Sequence, residues 1–305
     1  MIRYIFRRFW QGLIAVFLLT VIVFILARAA GDPVNLMLPI SASEEDRQRL
    51  TEELGLDRSL PVQFVDFVGD LVRGDLGDSL QQRKPVTELY FERLPNTFLL
   101  IGAGILLAIV VALPLGVLAG ANRGKPIDKI AKTIAAIGIA APSFWVGIVL
   151  INIFAVRLGL LPAARMGGLD HYILPAFSLG FFALAAMTRL LRSSMMETLD
   201  SEFVKLALIK GVSRNMVLWR HCLKNALLPA VTFLGMYIGI LIGGAVVIET
   251  VFAWPGVGRL AYEAILYRDY PVIQCVVIFN GLLIVLINFL TDITYSYIDP
   301  RIRYG

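Results

Sequence analysis

The residue types that most often carry chemistry are scarce in this 305-residue chain: His171 and His221 are its only histidines, Cys222 and Cys275 its only cysteines. No His-Glu-x-x-His stretch is present to set two imidazoles on one helix face around a zinc ion. Gly124-Lys125 suggests a phosphate-binding loop, but Pro126 follows where Ser or Thr is needed, and the upstream glycine of that pattern is missing. Catalysis, a metal site, a bound cofactor and in-chain ATP hydrolysis are therefore not expected. The cysteines read as small hydrophobes rather than as a disulfide framework. What stands out instead is misplaced charge. Residues 204–229 carry Lys205, Lys210, Arg214, Arg220 and Lys224 with no carboxylate among them, together with enough Leu, Val, Trp and Met to bury one face.

The elements that must position this segment are apolar. The chain is 58% hydrophobic and 17% charged, against roughly 45–50% and about 25% in soluble domains, and its mean hydropathy is +0.76. A helix crosses a bilayer in about 20 residues. Six runs are long enough: 9–30, 96–120, 130–156, 173–191, 228–251 and 272–295. The first exceeds the roughly 7–15 apolar residues of a cleaved signal, so an uncleaved helix is expected. The expected fold is an all-α polytopic membrane protein with six transmembrane helices. Residues 1–30 form the N-terminal segment and first span, and 31–95 an extracytoplasmic loop. Residues 96–295 form a five-span core containing the basic segment at 200–228, and 296–305 a tail.

Lys and Arg in short loops report orientation. Arg3, Arg7 and Arg8 precede span one; Arg123, Lys125, Lys129 and Lys132 follow span two. Arg189 and Arg192 join the basic segment, and Arg301 and Arg303 lie in the tail. With the 31–95 loop set aside, since the rule fails for loops beyond about 60 residues, the alternate loops offer only Arg157, Arg165, Arg259 and Arg268. Both termini and the basic segment are thus expected in the cytoplasm, which puts the two histidines on opposite sides and leaves no Ser–His–acid set to assemble. The formal charge of +5 is divided by topology rather than gathered for nucleic acid. In the 31–95 loop, Glu44, Glu45, Asp46, Glu52 and Glu53 precede apolar residues at helical spacing in VQFVDFVGDLV, which predicts short amphipathic helices.

Within the spans, Gly104, Ala108, Ala112, Gly116 and Gly120 recur every fourth position, as do Gly235, Gly239 and Gly243. Small residues let helices approach closely in lipid; the first ridge reads as packing within the chain, the second either as packing or as a seam with another subunit. Glu249 and Asp292 fall near span ends, where capping or an interfacial position explains them. Asn152, Ser178, Asn280 and Asn288 are the candidate polar groups of a pathway; each also fits an interhelical hydrogen bond of about 1 kcal/mol.

In the basic segment, Gly211 tolerates the left-handed backbone that ends a helix, and Ser213 is placed to cap a new helix at Arg214. Val217, Arg220 and Lys224 then fall about one turn apart, Met216, Trp219 and Leu223 form an apolar stripe, and Pro229 opens the next span. This is either a juxtamembrane helix on anionic lipid or an element that docks into a cytoplasmic partner with an acidic rim.

The segment resembles the cytoplasmic coupling loop of ABC-importer permeases in the dipeptide, oligopeptide and nickel branch. Phe203-Val204-Lys205, Ala207, Lys210-Gly211-Val212-Ser213, Arg220-His221 and Lys224-Asn225-Ala226-Leu227-Leu228-Pro229 match it. RRFWQGLIAVFLLTVIVF, Gly31-Asp32-Pro33, ELGLDRSLPVQ, RGDLGDS, ERLPNT, VIETVFAWPGVGRL, RDYPVIQ and IDPRIRYG match other markers along nearly the whole chain. Leu206, Leu208 and Ile209 depart from the usual Thr, Arg and Ala. The resemblance implies a type I importer permease (MetI-like) fold in the bacterial inner membrane. It implies pairing with a homologous second permease, two cytoplasmic ATPases that bind ATP and magnesium, and an extracytoplasmic binding protein. It implies coupling through Lys205, Ala207, Lys210, Gly211, Ser213, Arg214, Val217 and Arg220. The implied cargo is short peptides, including glutathione-like ones, with nickel chelates as the alternative. A self-sufficient ion-coupled carrier is the alternative from another class.

Overall fold

The computed structural model describes residues 2–29, 38, 43–53 and 55–298. The expected helix exit at Gly31-Asp32-Pro33 and the tail cations Arg301 and Arg303 lie outside the described residues. The described chain is helical: α1 Ile2–Ala29, α2 Glu44–Glu53, α3 Leu60–Arg73, α4 Val86–Ala121 and α5 Pro126–Ala140 come first. Then follow α6 Ser143–Arg157, α7 Asp170–Leu199, α8 Glu202–Ile209, α9 Arg214–Val251, α10 Val257–Leu266 and α11 Tyr270–Ile298. α1, α4, α7, α9 and α11 are each long and apolar enough to cross a membrane, and α5 with α6 makes a sixth candidate.

That sixth candidate is not the straight span read from 130–156. It is two helices bent by 110°. Pro142 is the cause: it disfavours helical backbone in the residue before it, and Ala141 is extended at φ −83°, ψ 127°.

The chain forms two compact units, Met1–Pro95 with Arg259–Gly305, and Asn96–Gly258. In the first, α1 runs antiparallel to α11. Arg8 pairs with Asp292 at 3.1 Å, a Cβ on Gly12 would stand 2.9 Å from Val285, and one on Gly281 would strike Leu19. α3 is one of the expected amphipathic helices of the 31–95 loop: Phe64 and Phe67 reach the ring of Phe24 on α1, at 5.3 and 5.7 Å between centroids. At the start of α2, Ser43 donates to Asp46 at 2.6 Å and accepts from its amide at 3.1 Å, which holds that carboxyl below its usual range. Residues 77–86 form a tight hairpin fastened to the turn before α11: buried Asp269 accepts from Ser79 Oγ at 2.5 Å and from the Leu80 amide at 3.2 Å.

In the second unit α7 is the central helix; 67% of its most apolar window is buried, against 17–28% in the other four single spans. α4 lies parallel to α7 along its small-residue ridge. A Cβ on Gly116 would stand 2.7 Å from the Leu191 Cβ, and one on Gly120 2.6 Å from that of Met195. Further along, Gly104 meets Gly180 backbone to backbone. Lipid tails are as apolar as leucine, so close van der Waals contact rather than water exclusion holds this pair.

Candidate coupling segment

The segment between α7 and the body of α9 folds as a helix, a turn and a second helix. α8 ends where Gly211 takes φ +79°; its amide returns to the Leu208 carbonyl at 3.0 Å, and the Val212 amide to Ala207 at 3.1 Å. This satisfies carbonyls the helix end would otherwise leave open. α9 begins at Arg214, but the Ser213 side chain makes no capping hydrogen bond; it is the Ser213 carbonyl that accepts from Val217, at 3.0 Å.

The second helix is not short, and Pro229 does not open a new one. α9 runs from Arg214 to Val251 with Pro229 inside it. Val217–Cys222 is a π-helical turn within it, and such a turn changes which side chains share a face. Val217, Leu218 and Cys222 turn inward, joining Val117 of α4, Met195 of α7, Val204 of α8 and Ala226 in one buried core. Met216 and Trp219, read as a stripe with Leu223, stand 47% and 42% exposed. Val217 is therefore separated from Arg220 and Lys224, which remain exposed.

Lys205, Lys210, Arg214 and Arg220 are all on the exposed side. Lys205 pairs with Glu202 at 2.7 Å, and Arg214 donates to the Ala121 carbonyl at the end of α4 at 3.4 Å. Ala207 packs against the core from below. The three departures from the family pattern, Leu206, Leu208 and Ile209, are exposed at 57%, 49% and 81%. The surface is thus large apolar side chains interleaved with cations, over a buried apolar core.

The candidate pathway groups each sit in their own surroundings. Ser178 is buried and donates to the Leu174 carbonyl at 2.7 Å. Asn152 is exposed on the π-helical end of α6. Asn280 accepts from Tyr90 Oη at 2.9 Å. Asn288 lines a groove beside Arg8 and Asp292. On α9, Gly239 is buried, Gly235 half-buried, and Gly243 exposed with open space where a Cβ would go.

Two acidic groups were undervalued by the sequence. Glu249 is fully buried within the protein. It accepts from Thr97 Oγ1 at 2.7 Å, and Thr97 Oγ1 in turn accepts from the Val257 amide at 2.9 Å. Gly256 folds directly over the carboxylate, with no room for a Cβ. Trp254 Nε1 donates to the Asn96 carbonyl at 3.0 Å, and Asn96 Nδ2 to that of Pro255 at 2.9 Å. Asp128 is the second, also fully buried, against Arg192 and Lys132. Its i,i+4 spacing to Lys132 was visible, but its partnership with Arg192, 64 positions away, was not.

Residues 112–304 match the model of the binding-protein-dependent transport system inner membrane component, and residues 1–101 match that of its N-terminal region. The chain is 38% identical to the oligopeptide transport system permease protein AppB of Bacillus subtilis (strain 168), over 100% of both chains. It is 36% identical to the glutathione transport system permease protein GsiC of Escherichia coli (strain K12), again over 100% of both. Among solved structures, an inward-facing MetNI methionine ABC transporter shares the fold at a TM-score of 0.57 and 19% identity, covering 69% of this chain and 96% of that one. The chain belongs to the binding-protein-dependent transport system inner membrane components, among the peptide ABC importer permeases.

Proposed function

We propose that this chain is one pore-forming half of an ATP-driven importer of short peptides, paired with a homologous second permease in a heterodimer. Two separate cytoplasmic ATPases bind ATP and magnesium and supply the energy, and an extracytoplasmic binding protein delivers the cargo. Both termini and residues 200–228 face the cytoplasm, in line with the distribution of Lys and Arg. The observation that carries the reading is the coupling segment: an exposed apolar and cationic surface on a helix–turn–helix whose inner face is locked into α4 and α7. Such a surface receives force from a docked partner and passes it to the spans. Lys205, Lys210, Gly211, Arg214 and Arg220 form its outer face; Ala207 and Val217 its base; Ser213 the joint. The peptide relatives favour peptides as cargo.

The test is reconstitution with the partner subunits and measurement of peptide uptake per ATP hydrolysed. Gly211→Val meets no clash, since nothing lies within 4 Å of a Cβ there, but it forces a β-branched residue to φ +79° at about 1–2 kcal/mol. Hydrolysis should persist and uptake per ATP should fall; Gly211→Asn, which tolerates that backbone better, should fall less. Uptake at the wild-type ratio in Gly211→Val would sink the assignment of this segment to coupling.

A further inference from the structure

The buried Asp128 is the meeting point of three segments. Its Oδ2 accepts from the Gly124 amide at 2.8 Å and from Lys132 Nζ at 3.2 Å. Its Oδ1 takes Arg192 Nε, and Arg192 Nη2 reaches Oδ2 at 3.3 Å, a two-pronged grip from α7. The α4–α5 turn and the first turn of α5 are thereby tied to α7. Arg192 lies three residues before Met195, which belongs to the core under the coupling segment. A buried pair of this kind adds little net stability, because desolvation offsets attraction; what it sets is geometry. Elsewhere α5 meets α7 through apolar contact: Ile134 packs against the core that includes Leu184, Met187 and Leu191, and Gly138 meets Ala185 and Phe181.

Movement of the coupling segment therefore has two routes. Packing carries it directly into α4 and α7 through Val117 and Met195. The first turn of α5 is tied to α7 by Arg192 and Asp128, while apolar packing joins the rest of α5 to α7. We propose that the Asp128–Arg192 clamp is the joint that makes the first turn of α5 follow the coupling segment, so that both residues are positioning residues for transport. This rests on the importer reading above.

The experiment uses the complete transporter in proteoliposomes, with Asp128→Asn, Arg192→Gln and the double variant. Each is checked for co-purification with its ATPases, ATP hydrolysis and uptake of a labelled peptide. A spin-label pair at the exposed Ile130 of α5 and Ser193 of α7 reads their separation with and without ATP. The expected result is assembled transporter with hydrolysis close to wild type and uptake per ATP reduced about tenfold, a usual size for coupling between sites. The double variant should be no worse than either single one. The label distance should be narrow and ATP-independent in wild type, and broad or ATP-dependent in Asp128→Asn. A merely structural role would lower uptake and hydrolysis together, in proportion to folded protein, with the distance unchanged; that result overturns the proposal while the importer reading stands. No ATP-driven uptake by the wild type would overturn the importer reading and the clamp's role with it.

Discussion

Gly180→Ala tests the closest approach in the second unit. The added Cβ would stand 2.9 Å from the Gly104 carbonyl carbon and 3.1 Å from its Cα, and closer still to the carbonyl oxygen. Carbon contacts are comfortable from about 3.5 Å, so α4 and α7 must part by at least roughly 0.5 Å. These neighbours are backbone, and no rotamer can relieve them. A gap of that size forfeits about a quarter of each contact, and a buried leucine makes about 40–60 contacts of ~0.1–0.2 kcal/mol. Each leucine-sized residue along the seam thus stands to lose on the order of 2 kcal/mol. Partial relaxation brings the total to the ~1–3 kcal/mol usual for overpacking, a shift of roughly 2–12 °C in melting temperature. The assay is thermal unfolding of the purified chain in detergent, with Gly102→Ala as control, since no atom lies within 4 Å of a Cβ there. Melting within about 1 °C of wild type for both variants would refute backbone contact between α4 and α7 as the source of cohesion.

Glu249→Ala should destabilise the same unit by ~2–4 kcal/mol, because it empties a buried site and strands Thr97 Oγ1; Glu249→Gln should cost about half as much, and equal melting of the two would argue against the carboxylate as an organiser. Gly243→Leu should leave the melting of the isolated chain unchanged, as nothing lies within 4 Å of a Cβ there, while blocking co-purification of the second permease if α9 forms the seam; intact pairing would remove Gly243 from it. Ile209→Ser, at the most exposed of the three departures, should weaken ATPase binding by about 1.5–3 kcal/mol, the worth of a fully buried isoleucine, read by calorimetry with the isolated ATPase. Asp269→Ala should free the hairpin at 77–86, seen as faster proteolysis at the Gln81–Arg83 tip without loss of the spans.

The spans were legible because a bilayer demands long apolar runs, and the ridge from Gly104 to Gly120 because helix periodicity survives in any straight helix. What escaped were features that depend on a second segment or on a departure from that periodicity. Pro142 announces an interruption, but its sequence does not say whether the chain kinks or turns by 110°. Asp128 has an obvious neighbour in Lys132, whereas the two-pronged grip comes from Arg192 on another helix. Glu249 looks terminal along the chain, and only the return of Gly256 over it makes it interior.

The coupling segment shows the cost of assuming 3.6 residues per turn where the helix widens. On that assumption Val217 falls one turn from Arg220, and Met216, Trp219 and Leu223 form an apolar stripe. With Val217–Cys222 bonded as a π turn, Val217, Leu218 and Cys222 share the inner face instead. Met216 and Trp219 are exposed, as are Leu206, Leu208 and Ile209 of the preceding helix. The departures from the family pattern thus add apolar area to a segment that already exposes Met216 and Trp219. A docking partner for this chain should meet it with an apolar groove and keep its acidic groups to the rim, where Lys205, Lys210, Arg214 and Arg220 stand exposed. Affinity would then come from the groove, and charge would set orientation and rate. Raising salt should accordingly slow ATPase association far more than it speeds dissociation, and an equal effect on both would place the charges at the centre of the interface rather than its edge.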